Sequence, residues 1–414
     1  MMRKSVLLSG LAAVCLAGSC SVLHASNRGD YVYVESNISA PNGNSINAFQ
    51  RGNDGNLTQI PGSPFLTGGA GVQYAGSNLG PFDSDQEVIT NPEHSLLFAV
   101  NAGSDSIAVF RINDDGSLNP VNGSPFPSGG TDPDSLALNG NILFVTNQSS
   151  DFARPSTALP NYTTMRVQRN GYLVPTDDDA NDTSRPFHAT VSVAAGSAPS
   201  QAYFAQDSGI LFGNDFLGGL IEHFRVDGQG KLHPLPPLAL PASEFGASVP
   251  RLPLGLWSNP RQPVLYVGYV TANKIGVYRY NEDGALKFLR TVPNAGQGIC
   301  WIRVNQSGTR IYTTDTTNNQ VSVYDSTDAE RPVEIQTLTL AGVGNDFQLS
   351  LSEDGRSLYV LSQRAAASIP EGQGNVLHTL SISRDGTVEE TGAPIVFHLP
   401  AGVRPQGIAI VRQR

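Results

Sequence analysis

Two arginines and one histidine are the side chains of this chain best suited to act on a small molecule. Arg251, in VPRL, and Arg303, in WIRV, each offer a planar guanidinium fork that can hold a carboxylate or phosphate through paired hydrogen bonds. Each could equally satisfy nearby backbone carbonyls. His188, in RPFHAT, stands on a long insertion, where an imidazole titrating near neutrality can serve as a general base. His223 and His378 fall on alternating, strand-like segments and read as sheet-face residues. No HxxxH or His-Cys spacing supports a transition metal. Asp177, Asp179 and Asn181 have a spacing that can offer oxygens to calcium, yet Asp182 and His188 stand where an EF-hand needs Gly and Glu. Gly68 to Gly71 lacks the Lys-Ser/Thr ending of a phosphate loop, and no serine nucleophile elbow is present. No cofactor is expected.

The elements that must position these residues recur in a fixed order. Seven apolar segments are centred on Tyr33, Phe98, Phe144, Phe212, Tyr266, Tyr312 and Tyr359, spaced 46 to 68 residues apart. Most are followed by an alternating segment such as IAVFRI (Ile107 to Ile112), whose period of two argues for a strand. Turn dipeptides come next: Asp54-Gly55, Asp115-Gly116, Asn170-Gly171, Asp227-Gly228, Asp283-Gly284 and Asp385-Gly386, with only the sixth unit lacking one. LTQIPGSPF (Leu57 to Phe65) and LNPVNGSPF (Leu118 to Phe126) are near copies. A further strand precedes each aromatic one, as in EVIT, SLAL, WIRV and QLSL. Four strands in about 46 residues describe a propeller blade. The expected fold is therefore all-β: a seven-bladed β-propeller of four-stranded antiparallel blades. Its ring closes when the last strand, GIAIV (Gly407 to Val411), joins the first blade. That closure removes an exposed edge and argues for one domain over residues 26–414. Asp134 in PDPDS and Arg404 and Gln406 in RPQG then fall at the starts of innermost strands, where they share a ligand-binding channel mouth or simply line a solvated channel.

Composition fits this reading. The 414 residues include 43 Gly and 28 Pro, only 15% are charged, and the formal charge is -10. Turns are abundant, disorder is excluded, and no basic surface is available for nucleic acid. Residues 1–25 read as an export signal: Arg3 and Lys4 precede an apolar run from Ser5 to Gly18 that is too short to span a membrane comfortably. Cleavage after Ala25 competes with lipoprotein cleavage before Cys20 in LAGSC, and a lipid on Cys20 would be the only membrane attachment. A periplasmic or secreted protein is expected, anchored in the envelope if Cys20 is lipidated.

The repeat, in the form LYV, about ten residues, IAVFRI, turn and strand, resembles the lactonase-type seven-bladed propeller family, which includes 6-phosphogluconolactonases and carboxymuconate cyclases. The resemblance covers residues 30 to 414. It implies an active site at the channel mouth built from histidine, arginine and glutamate. The family's HPHS-like stretch is matched by Ala198-Pro199-Ser200-Gln201, its GPRH-like stretch by Val249-Pro250-Arg251-Leu252, and its EIRV-like stretch by Trp301-Ile302-Arg303-Val304. Both arginines match; the histidines and the acid do not. The resemblance implies hydrolysis of a sugar or related lactone, with a lactone or sugar acid as small-molecule partner. The missing groups leave open a non-catalytic propeller that binds a protein, glycan or small molecule.

Overall fold

A computed structural model describes residues 29–52, 54–73, 84, 86–151, 154–176, 190–206, 208–245 and 249–412. Seven small antiparallel sheets account for nearly all of its regular structure. Each has four strands in radial order, and five of the sheets carry a short additional stretch on the third strand. In the first sheet the C-terminal strand Gln406–Arg412 pairs with Asp30–Glu35 and becomes the innermost strand, so the ring closes as the sequence predicts.

The aromatic-centred segments are the second strands, buried along their whole length in six blades, as in Leu96–Asn101 and Ile210–Asp215, and all but Arg310 in the sixth. Each blade lies between two others, so alternate side chains face opposite neighbours and both faces must be apolar. Tyr31 and Tyr33 pack with Leu97, Ala99 and Phe110 of the second blade, whereas Val32 and Val34 pack with Tyr359 and Leu361 of the seventh.

The Gly-containing turns do more than reverse the chain. Gly116 lies at φ +79° with its Cα against the Tyr31 ring, and its carbonyl accepts the Tyr33 hydroxyl at 2.9 Å. The same staple joins Tyr312 to the Gly386 carbonyl at 3.1 Å. In the sixth blade, which lacks the dipeptide, buried Ala329 supplies the carbonyl to Tyr266 at 2.8 Å. In the fourth blade the left-handed position falls to Gly230 rather than to Gly228 of the Asp-Gly pair. The near copies fold alike: Ser63 Oγ accepts the Ala48 amide and Ser124 Oγ the Val109 amide, both at 2.8 Å.

Six innermost strands begin with a break in register: between Pro133 and Ser135, Pro199 and Ala202, Pro253 and Leu256, Ile299 and Ile302, Asp346 and Gln348, and around Gly407. Such bulges re-aim side chains at the rim of a channel. The end of the ring where these strands begin is called the upper mouth below, and the end where they finish, the lower.

Candidate functional site

Register places one innermost-strand residue opposite each central aromatic. Going round the ring these are Ala409, Ile89, Ala137, Tyr203, Trp257, Arg303 and Ser350. Three neighbouring blades thus contribute Tyr203, Trp257 and Arg303 to one layer, where they pack side by side. The Tyr203 and Trp257 rings are 4.4 Å apart, and the Arg303 guanidinium carbon lies 4.1 Å from the Trp257 ring centre. Arg303 is 7% exposed and is the only buried Arg or Lys among the described residues. A guanidinium over an indole is held by the ring's negative face, worth about 2 kcal/mol when desolvated. One Nη donates to the Ile302 carbonyl at 3.4 Å.

Arg303 and Trp257 line a cavity of about 1050 Å³ at the lower mouth. Its walls come from the innermost strands of the first, second, fifth, sixth and seventh blades and from the turns that follow them in the sixth and seventh. Four arginines, Arg303, Arg310, Arg356 and Arg384, face two carboxylates, Glu353 and Asp354. In a chain with an excess of acids, this is a locally positive site. Glu353 accepts from the Arg412 amide at 3.3 Å and meets His94 Nε2 at 2.9 Å. His94 sits at φ +49°, where His is tolerated better than most side chains, and sequence reasoning passed over it.

Above the cavity the channel is filled. Gln201 Nε2 donates to Gln86 Oε1 at 2.6 Å, and Gln201 Oε1 accepts the Leu256 amide at 2.8 Å. Gln86 Nε2 reaches the Leu136 carbonyl at 3.2 Å, Ser84 Oγ meets Ser135 Oγ at 2.9 Å, and Gln348 Nε2 reaches the Ser84 carbonyl at 3.4 Å. These bonds tie blades two, three, four, five and seven across the axis. All five of the linking side chains are buried. The cavity is therefore approached from the lower mouth.

The residues expected to share one mouth are divided between two. Asp134 and Gln406 are buried at the upper end; Asp134 accepts from Gln148 Nε2 at 3.0 Å, and Gln406 pairs with Glu35. Arg404 is half-buried on the segment before Gln406. Arg251 is also absent from the cavity lining. The fifth blade's innermost strand begins at Pro253, the second of two nearby prolines, so Arg251 lies on the preceding loop. There a Cβ at Gly219 would stand 3.1 Å from the Arg251 Cβ. Only Arg303 among the five reaches the cavity. His188 and the calcium candidates Asp177, Asp179 and Asn181 lie outside the described residues, as does Cys20. Among the described residues no three His, Cys, Asp or Glu side chains gather as a metal site.

The upper half holds the most perturbed acids. Burial raises Asp315 and Glu222 to about 7 and Asp346 to about 6, and pushes Glu35 well above the ordinary range. Asp346 accepts from Ser362 Oγ, which lies 2.9 Å from His378 Nε2, while His378 Nδ1 is 2.7 Å from Glu390. The order serine, histidine, carboxylate matches that of a nucleophilic triad. Ser362 and His378 are both fully buried and Ser362 is committed to Asp346, so the chain is an internal polar network of the seventh blade.

The fold is that of a seven-bladed β-propeller whose ring is closed by its C-terminal strand. No family model matches the sequence, and no curated protein matches it. Solved structures do. A protein from Bacteroides uniformis given as a candidate 6-phosphogluconolactonase is 15% identical with a TM-score of 0.67, covering 93% of this chain and 99% of that one. The periplasmic gluconolactonase of Pseudomonas aeruginosa is 14% identical with a TM-score of 0.63, covering 93% and 100%. A hypothetical selenium-binding protein from Sulfolobus tokodaii is 11% identical with a TM-score of 0.65, covering 93% and 94%. At these identities the likeness establishes the fold.

Proposed function

We propose that this protein is an exported lactonase-like propeller whose lower cavity takes a sugar lactone or its ring-opened acid. The observation that carries this reading is Arg303, buried on Trp257 in the wall of the cavity. A desolvated guanidinium held by stacking is pre-organised for an anion, and its interaction is stronger there than in water. The gluconolactonase named among the structural neighbours supports the ligand class. Water activation falls to Glu353, the cavity carboxylate in contact with His94. The charged start and apolar run of residues 3–18 support export to the periplasm or beyond; intact-mass analysis should find Ser26, or a lipidated Cys20, at the mature N-terminus.

The test is a titration of gluconate followed by Trp fluorescence, alongside a panel of aldonolactones assayed for ring opening. Arg303→Gln should weaken gluconate binding about ten- to hundredfold, the range expected for a buried charge-assisted hydrogen bond. Unchanged binding in that variant would remove the reading. A non-catalytic binder is the second reading, favoured by a cavity lining that holds no histidine among the described residues. Ring opening abolished by Glu353→Gln would exclude it.

A further inference from the structure

The cavity is larger than one sugar acid needs. Pockets for a single small ligand run to roughly 300–1000 Å³, and this one, at about 1050 Å³, lies just above that range. Its lining also leaves the channel. Beyond the innermost strands it takes in Arg310 and Tyr312 on the second strand of the sixth blade, and Ser381 to Arg384 with Gly386 at the third-strand hairpin of the seventh. From the innermost to the third strand is two inter-strand spacings, about 10 Å. The site is a groove running outward between blades six and seven.

The floor of this groove is a closed inter-blade seam. Tyr312 donates to the Gly386 carbonyl, and Arg310 is spent on the Asp385 and Thr309 carbonyls and on Asp325. Its edges are different. Arg356 and Arg384 are exposed, line the groove, and have no side-chain partner among the described residues. The nearby Asp354 is held within its own turn by Ser352 Oγ at 2.8 Å and the Arg356 amide at 3.0 Å. Between the arginines lie uncharged hydrogen-bonding side chains such as Asn305, Ser307, Ser381 and Ser383. One buried cation at the inner end and two open ones further out, separated by hydroxyls and amides, suit a chain of carboxylate-bearing polyols better than a lone one.

We infer that the lower groove binds an acidic oligosaccharide, a short chain of linked uronic acids, with its inner carboxylate at Arg303 and its outer carboxylates at Arg356 and Arg384. This rests on the assignment of Arg303 as an anion anchor and extends it outward into further subsites.

The experiment is isothermal titration of the full chain with galacturonic acid, di- and tetragalacturonate, and tetraglutamate, in 0.15 M salt so that long-range attraction is screened. Tetragalacturonate should bind at least tenfold more tightly than the monomer. The Arg356→Gln/Arg384→Gln double variant, whose changes are both on the exposed surface, should bring the tetramer-to-monomer affinity ratio down to about one. Equal affinity for monomer and tetramer would overturn the oligosaccharide while the anion site stands. Tetraglutamate binding as tightly as tetragalacturonate would also overturn it, since charge alone would then suffice. If no probe binds wild type and Arg303→Gln behaves identically, the anion anchor itself fails, and the inference with it.

Discussion

Asp315 gives the most quantitative test of the upper half of the ring. It ends the second strand of the sixth blade, fully buried, accepting from Ser322 Oγ at 2.6 Å and from Asn294 Nδ2. Desolvation outweighs those two bonds and Glu334 and Asp346 add to it, so the carboxyl titrates at about 7 rather than 3.8. Between these values the folded chain keeps a proton that the unfolded chain has lost. Stability from this group is therefore full below 3.8, falls as pH rises, and levels off above about 7. The whole span corresponds to on the order of 4 kcal/mol, and the part between pH 5 and pH 8 to about 3. Asp315→Asn keeps the shape and both partners but cannot ionise. Urea unfolding of both proteins at pH 5 and pH 8 should show the variant gaining about 3 kcal/mol on wild type at the higher pH. An offset that is the same at both pH values, or that moves the other way, would refute the account of a buried, protonated Asp315.

The inter-blade staples make further predictions. Gly116→Ala should destabilise by more than about 2 kcal/mol, because the position has φ +79° and an added Cβ would stand 2.5 Å from the Tyr31 ring. Gly228→Ala, in the dipeptide that looks equivalent, should change stability by less than about 0.5 kcal/mol, since nothing lies within 4 Å and φ is ordinary. Thermal or urea unfolding of the pair checks both. Tyr312→Phe removes the donor to the Gly386 carbonyl and should lower stability by about 1 to 2 kcal/mol in urea; a neutral result would mean that water replaces the bond.

The fold was legible because every blade centres an aromatic on a strand buried on both faces, and in five of the seven a turn glycine then packs on the previous blade. The site was less legible for identifiable reasons. Arg251 and Arg303 match the family pattern equally in sequence, and only the register of Arg303 opposite Tyr312 and its burial single out the one that reaches the cavity. Asp134, Arg404 and Gln406 stand at or just before the starts of innermost strands, and which mouth lies over the buried polar bridge depends on bonds such as Gln348 to Ser84, 264 residues apart. The Trp257 and Arg303 pair carried a signal that was available. Both stand opposite a central aromatic in adjacent blades, Tyr266 and Tyr312, so aligning the innermost strands by register brings them into one layer. His94 had no such signal, since its contact with Glu353 joins the second blade to the seventh across the first.

The ring closure has a practical side. Asp30 pairs with Arg412 at the lower end of the first blade, two residues from Ile410 in the cavity wall. The described chain thus enters and leaves beside the groove. A purification tag, fluorophore or tether added at either position arrives at the lower face, and a sensor surface carrying the protein by such a tag would have the groove turned toward it. Attachment through an engineered cysteine at the upper end, such as exposed Leu217 in the turn between the second and third strands of the fourth blade, keeps the lower mouth open to solution.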